Sequence, residues 1–159
     1  MLKRTLDSSA ATEALGARLA VTLKPGCIIY LSGDLGAGKT TLARGLLQAL
    51  GHHGAVKSPT FTLVEPYRIG AWRLFHWDLY RLTDPEELEF LGLRDQLDSQ
   101  AALLIEWPEH GYGELPAADL EITLNYAGAG RECRLVAIST VGQRMLASLA
   151  TLYAEIQTP

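Results

Sequence analysis

The stretch "SGDLGAGKTT", Ser32 to Thr41, decides how the rest of the chain is read. Gly33, four residues, then Gly38-Lys39-Thr40 gives the pattern G-x-x-x-x-G-K-[ST], a loop whose backbone N–H groups cradle a chain of phosphates. Before it stands "CIIYLS" (27–32), an apolar, β-rich run that predicts a buried strand. After it, Leu42, Leu46, Leu47 and Leu50 recur at helical spacing, and Gly51 supplies a stop. Strand, glycine-rich turn, helix is the context this loop requires. Lys39 is expected on the β- and γ-phosphates, and the Thr40 hydroxyl on Mg²⁺. The plainer alternative, a glycine-rich turn carrying an exposed lysine, accounts for the glycines but not for this context.

The chain has 159 residues, enough for one domain, 1–159, with a real core. No signal-peptide core opens it, and no run approaches a membrane span. Cys27 and Cys133 lie in strand-like runs and form no metal-ligand cluster, which fits buried free thiols and a cytoplasmic setting. A formal charge of −4 and a pI near 5.5 argue against strong, autonomous binding to nucleic acid.

Along the chain, residues 9–23 predict an amphipathic helix with Leu15 and Leu19 inward. Residues 61–67 and 72–79 predict two strands around a tight turn at Ile69-Gly70-Ala71. "DPEELEFLGLRDQL" (84–97) reads as a helix with Pro85 at its start. "AALLIEW" (101–107) predicts a buried strand, 119–126 and 132–140 two alternating strands, and 142–156 a closing helix. The expected architecture is an α/β, single-domain, three-layer P-loop sandwich with a mixed β-sheet.

Three further segments hold chemistry-bearing residues. Glu106 ends an apolar run at the tip of a predicted strand, where a P-loop fold needs an acid to hold Mg²⁺ or orient water. In "HWDLYR" (76–81), His76, Asp78 and Tyr80 fall on one strand face and an apolar set on the other. That polar face is either catalytic or an exposed surface on which His76 and Asp78 bond each other. In "KSPTFTL" (57–63), Ser58, Thr60 and Thr62 read as turn residues on spacing alone, although a threonine in such a connection reports the γ-phosphate in nucleotide switches. Guanine-specific sites carry Asn-Lys-x-Asp; here the single asparagine, Asn125, precedes a tyrosine, so ATP is the expected nucleotide.

In that order, "GDLGAGKTT", "SPTFTL", "HWDLYR" and "IEWPE" closely resemble the TsaE (YjeE) family, over roughly residues 5 to 140. These are bacterial ATPases that take part in making threonylcarbamoyladenosine at position 37 of tRNA. The resemblance implies partners TsaB and TsaD, with TsaD transferring the threonylcarbamoyl group and tRNA reached through the complex. It implies ATP and Mg²⁺ as cofactors. Thr40 and Glu106 match the Mg²⁺-linked positions, Lys39 the phosphate lysine, and Asp78 an acid important for hydrolysis. Nucleotide contacts are expected from Gly33, Gly36, Ala37, Gly38, Lys39, Thr40 and Thr41. Ser8 and Arg131 fall near the family's contacts at the first helix and a late loop.

Two other readings stand beside ATP hydrolysis. A small-molecule P-loop kinase would need an arginine-bearing lid, but the arginines are scattered and a hairpin stands where a substrate-binding helical region is usual. A regulatory nucleotide-binding module without turnover would not need both Asp78 and Glu106.

Overall fold

A computed structural model describes residues 1–156. Seven strands form one mixed sheet in the order β1-β7-β6-β2-β5-β4-β3. β2 (Ile28–Ser32) lies at its centre, parallel to both β5 (Ala101–Glu106) and β6 (Leu120–Ala127). β4 (Trp72–Asp78) runs parallel to β5. Only β3 (Val64–Ile69) on one flank and β7 (Gly130–Ala137) on the other run against these strands; β1 (Leu2–Leu6) pairs antiparallel with β7 at the edge and so runs in the direction of β2. β5 is buried at all six positions, as a strand covered on both faces must be. The carboxyl ends of the parallel strands open toward one edge of the sheet, where open α/β sheets bind their ligands.

Three helices cover one face: α1 (Ser9–Thr22), α2 (Lys39–Leu50) and α4 (Thr140–Ile156). Leu15, Leu19, Leu42, Leu46, Met145 and Leu149 pack there against Ile29, Leu31, Leu104, Ile122 and Leu124. α1 crosses α2 closely: a Cβ on Gly45 would lie 2.1 Å from the Glu13 carbonyl oxygen. This approach fixes the helix whose first turn carries Lys39 and Thr40. Arg44 of α2 adds a 2.7 Å ion pair to Glu13 of α1.

The opposite layer is thin. Trp77, Leu79, Leu82, Leu88 and Leu93 bury Leu103 and Ile105 beneath short turns. The helix expected over 84–97 is instead a single turn, α3 (Glu87–Phe90), followed by a 3₁₀ turn at Arg94–Gln96. Gly92, at φ 81°, ends α3 and redirects the chain so that Leu88 and Leu93 both point inward. β3 begins at Val64 rather than Phe61, because residues 60–62 form a turn and Leu63 takes φ 65°. The hairpin itself is as read, with Ile69 opposite Trp72 across Gly70-Ala71. β1 was not legible in the sequence; it is a half-polar edge strand whose pairing is supplied by β7. No helix among the described residues is long and apolar enough to cross a membrane.

Candidate nucleotide site

The glycine-rich loop joins β2 to α2 at the open edge of the sheet. A Cβ on Gly33, at φ 140°, would come within 2.3 Å of the Leu124 carbonyl oxygen, so the loop path depends on a bare Cα. Gly38, in the left-handed region, directly precedes α2, and the helix N-terminus opens into a cavity of about 410 Å³. Gly36, Gly38, Lys39, Thr40, Thr41, Asp78 and Glu106 line it. Lys39 is 5 % exposed; its Nζ donates to the carbonyls of Gly33 at 2.5 Å and Asp34 at 3.0 Å, and sits 4.2 Å over the Trp107 ring. Burial pushes the Lys39 amine below its ordinary value, against the opposing pull of Glu106, Asp78, Glu109 and Asp34. An anionic ligand beside it would relieve that cost.

The acids of β4 and β5 converge on the same cavity. Glu106 Oε1 accepts from Thr40 Oγ1 at 3.1 Å and lies 2.8 Å from His76 Nε2. Asp78 Oδ2 accepts hydrogen bonds from the Ser58 hydroxyl and, at 3.3 Å, from the Thr60 hydroxyl, while Oδ1 accepts the Tyr80 N–H at 3.0 Å. The exposed reading of "HWDLYR" therefore does not hold: His76 and Asp78 are buried, and each pairs with a different element. Ser58 and Thr60, which spacing alone reads as turn residues and the resemblance as part of a switch-like loop, tie the 57–62 segment to Asp78.

Across the loop lies a smaller cavity of about 120 Å³, lined by Ser8, Thr12, Ala37, Thr41 and Arg131 among others. Ser8 caps α1 by accepting the Ala11 N–H at 3.2 Å. Arg131 donates to the carbonyls of Ala37 at 3.0 Å and Gly36 at 3.2 Å. Two residues far apart in sequence thus flank the back of the glycine-rich loop, next to Ala37 and Thr41.

The model of the family described as "Threonylcarbamoyl adenosine biosynthesis protein TsaE" matches residues 6–133. The chain belongs to the TsaE family. It is 50 % identical over 123 residues to the tRNA threonylcarbamoyladenosine biosynthesis protein TsaE of Haemophilus influenzae, covering 77 % of this chain and 78 % of that one. The Bacillus subtilis protein of the same name is 39 % identical over 133 residues, covering 84 % and 82 %. The fold matches the crystal structure of Bacillus subtilis YdiB with a TM-score of 0.83 at 31 % identity, over 96 % of this chain and 95 % of that one.

In this member of the TsaE family, the site holds residues that the sequence reading did not assign. Trp107, at φ 56°, walls the cavity over Lys39. Tyr80 lies beside it with ring centroids 5.0 Å apart, and His110 stacks on Trp107 at 5.6 Å. His110 Nδ1 faces the carbonyls of Leu79 at 2.8 Å and Tyr80 at 3.1 Å, so it carries the proton. The sequence signal for this wall was the density of aromatics in "HWDLYR" and "EWPEHGY"; its assembly depends on the pairing of β4 with β5.

Proposed function

We propose that the chain is an ATPase, acting as one domain over residues 1–159, that binds Mg·ATP in the larger cavity and hydrolyses it. The hydrolysis supports a TsaB–TsaD pair that installs threonylcarbamoyl on adenosine 37 of tRNA. The observation that carries the proposal is convergence: Lys39, Thr40, Asp78 and Glu106 come from three elements and meet in one cavity. The relatives' shared name, tRNA threonylcarbamoyladenosine biosynthesis protein, supports the pathway. Buried free thiols at Cys27 and Cys133 support a cytoplasmic setting.

The donor set suits magnesium. A threonine hydroxyl and a carboxylate are hard oxygen donors, and Mg²⁺ is usually held by one or two carboxylates plus substrate phosphates. No cluster of three or more His, Cys, Asp or Glu residues with metal-ligand geometry occurs among the described residues. Thr40 and Glu106 would hold the ion together with the nucleotide. An ion held there would supply neutralisation of the phosphate charge. Lys39 would leave the Gly33 and Asp34 carbonyls for the phosphates. Asp78 would orient the attacking water and take its proton as the water oxygen bonds to the γ-phosphorus, while the bridging P–O bond breaks and its electron pair leaves with ADP. Gly33, Gly36, Ala37, Gly38 and Thr41 would line the phosphates, with Ser8 and Arg131 toward the nucleoside.

The test is phosphate release from ATP with Mg²⁺ and no acceptor, first alone and then with TsaB and TsaD. Release that needs neither a small-molecule acceptor nor its phosphorylation supports hydrolysis. Phosphate transfer to an added small molecule, with no release in its absence, would favour a kinase.

A further inference from the structure

We infer that His76 is a positioning residue that fixes the rotation of Glu106 for metal binding; this rests on the Mg²⁺-dependent reading above. His76 lies in β4 and is fully buried. It pairs in register with Leu104, two residues before Glu106 on β5, so the two side chains are diagonal neighbours on one sheet face. Its Nε2 is 2.8 Å from Glu106 Oε1. Because that oxygen is an acceptor, Nε2 carries the ring proton.

The other ring nitrogen explains why the arrangement is informative. Nδ1 is buried and has no hydrogen-bond partner. A buried imidazole with one nitrogen unmet is a costly way to fill a core position, and an apolar ring would fill it without an orphaned acceptor. What the imidazole adds is one N–H aimed at one carboxylate oxygen. Burial of Nδ1 also removes His76 as a base acting on cavity water.

Thr40 Oγ1 donates to the same Oε1, at 3.1 Å. Both donors therefore hold one oxygen, and Oε2 has no protein donor among the described residues. A carboxylate pinned through one oxygen offers the other to a cation. Of the two donors, Thr40 is itself a metal-binding candidate, whereas His76 is set back in the sheet and serves only Glu106. Outer partners of this kind typically set metal affinity by about 10–100-fold.

The experiment is calorimetry of ADP binding with Mg²⁺ and with EDTA, for the wild-type chain, H76F and H76Q, each checked for folding by circular dichroism. H76F should lose about tenfold or more in affinity with Mg²⁺ and stay within about twofold in EDTA. H76Q, which restores an N–H donor, should recover most of the loss. Wild-type Mg²⁺ dependence in H76F, or equal losses with and without Mg²⁺, would overturn the inference. Should H76F not fold, H76L takes its place; failure of both makes His76 a fold determinant and also overturns it. Wild-type affinity that is indifferent to Mg²⁺ would instead remove the metal reading on which the inference rests.

Discussion

Asp78 and Glu106 are register partners on adjacent parallel strands, the last residues of β4 and β5. Paired residues of parallel strands point to the same face, so two carboxylates stand side by side at the rim of one cavity. Their surroundings differ. Glu106 is bonded to Thr40 at the start of α2 and to His76; Asp78 is bonded to Ser58 and Thr60 of the 57–62 segment. One acid is tied to the phosphate loop's helix and the other to a connection between elements, a difference that fits the proposed metal-holding role for Glu106 and water-orienting role for Asp78.

That separation is measurable. Asp78→Ala should bind Mg·ATP within about threefold of wild type and hydrolyse it about 100-fold or more slowly, the range a positioned general base supplies. Glu106→Ala and Thr40→Ala should weaken nucleotide binding in Mg²⁺ but not in EDTA. Single-turnover phosphate release beside calorimetry distinguishes the two patterns. Full turnover by Asp78→Ala in the presence of partners would make its hydrogen-bond network structural.

Lys39 predicts a pH dependence with a definite sign. Burial holds its amine below the ordinary 10.5, and bound phosphates would raise it again. Nucleotide affinity should be full below the lowered value and fall as the pH climbs through it toward 10.5, since binding then takes up a proton. Lys39→Ala should lose about 1.5–3 kcal/mol of binding, tenfold or more, and with it this alkaline slope. Calorimetry across alkaline pH on both proteins checks the point; a slope surviving in the variant would assign it elsewhere.

What was legible in the sequence was what local pattern encodes. The glycine-rich loop, β2 and α2 follow from one contiguous stretch, and the β3–β4 hairpin from the turn at Gly70. β1 escaped because Lys3, Arg4 and Thr5 hide an edge strand whose partner lies some 130 residues away. The break at Gly92 escaped because Pro85 marks a helix start, whereas one glycine inside a helix-like stretch does not by itself mark so early a stop. In the candidate site, Glu106 was visible as an acid ending an apolar run and Asp78 as part of the polar face of "HWDLYR". The bonds from Ser58 and Thr60 to Asp78, and from His76 to Glu106, were not, because they depend on how separate segments align rather than on either segment.

The two cysteines should be inert in the folded protein. Burial pushes Cys27 up to about 11 and Cys133 up to about 12, from 9.0. Neither should react with Ellman's reagent at pH 8, and two thiols should titrate once guanidinium unfolds the chain. Both values are raised in the folded state, so the stability they contribute is full below pH 9.0 and is lost as the pH rises through about 11 and then about 12. Rapid labelling of a native thiol at pH 8 would contradict the packing of β2 or β7.

The last prediction is that the isolated chain hydrolyses ATP slowly and that TsaB–TsaD accelerates it. Among the described residues, no arginine is aimed freely at the phosphate side of the cavity. Arg131 is engaged with the Gly36 and Ala37 carbonyls and stacks on Tyr126 at 4.2 Å, on the far flank of the loop. Arg81 lines the cavity, but its guanidinium lies 4.4 Å over the ring of Phe61, which is 84 % exposed. Leu35, 65 % exposed, stands at the same mouth. Apolar side chains so placed give a protein partner something to cover, and covering Phe61 would disturb the stack that holds Arg81. An arginine delivered to the transition state is worth about 10³–10⁵ in rate. Steady-state phosphate release should therefore rise at least tenfold with the pair at saturating ATP. Phe61→Ala, which removes the ring a partner would cover and also releases Arg81, should narrow the gap between the stimulated and isolated rates without slowing the isolated chain. Arg81→Ala should reduce the stimulated rate at least tenfold with nucleotide affinity within about twofold of wild type. A fast isolated chain that the pair does not change would show the site to be complete without a partner.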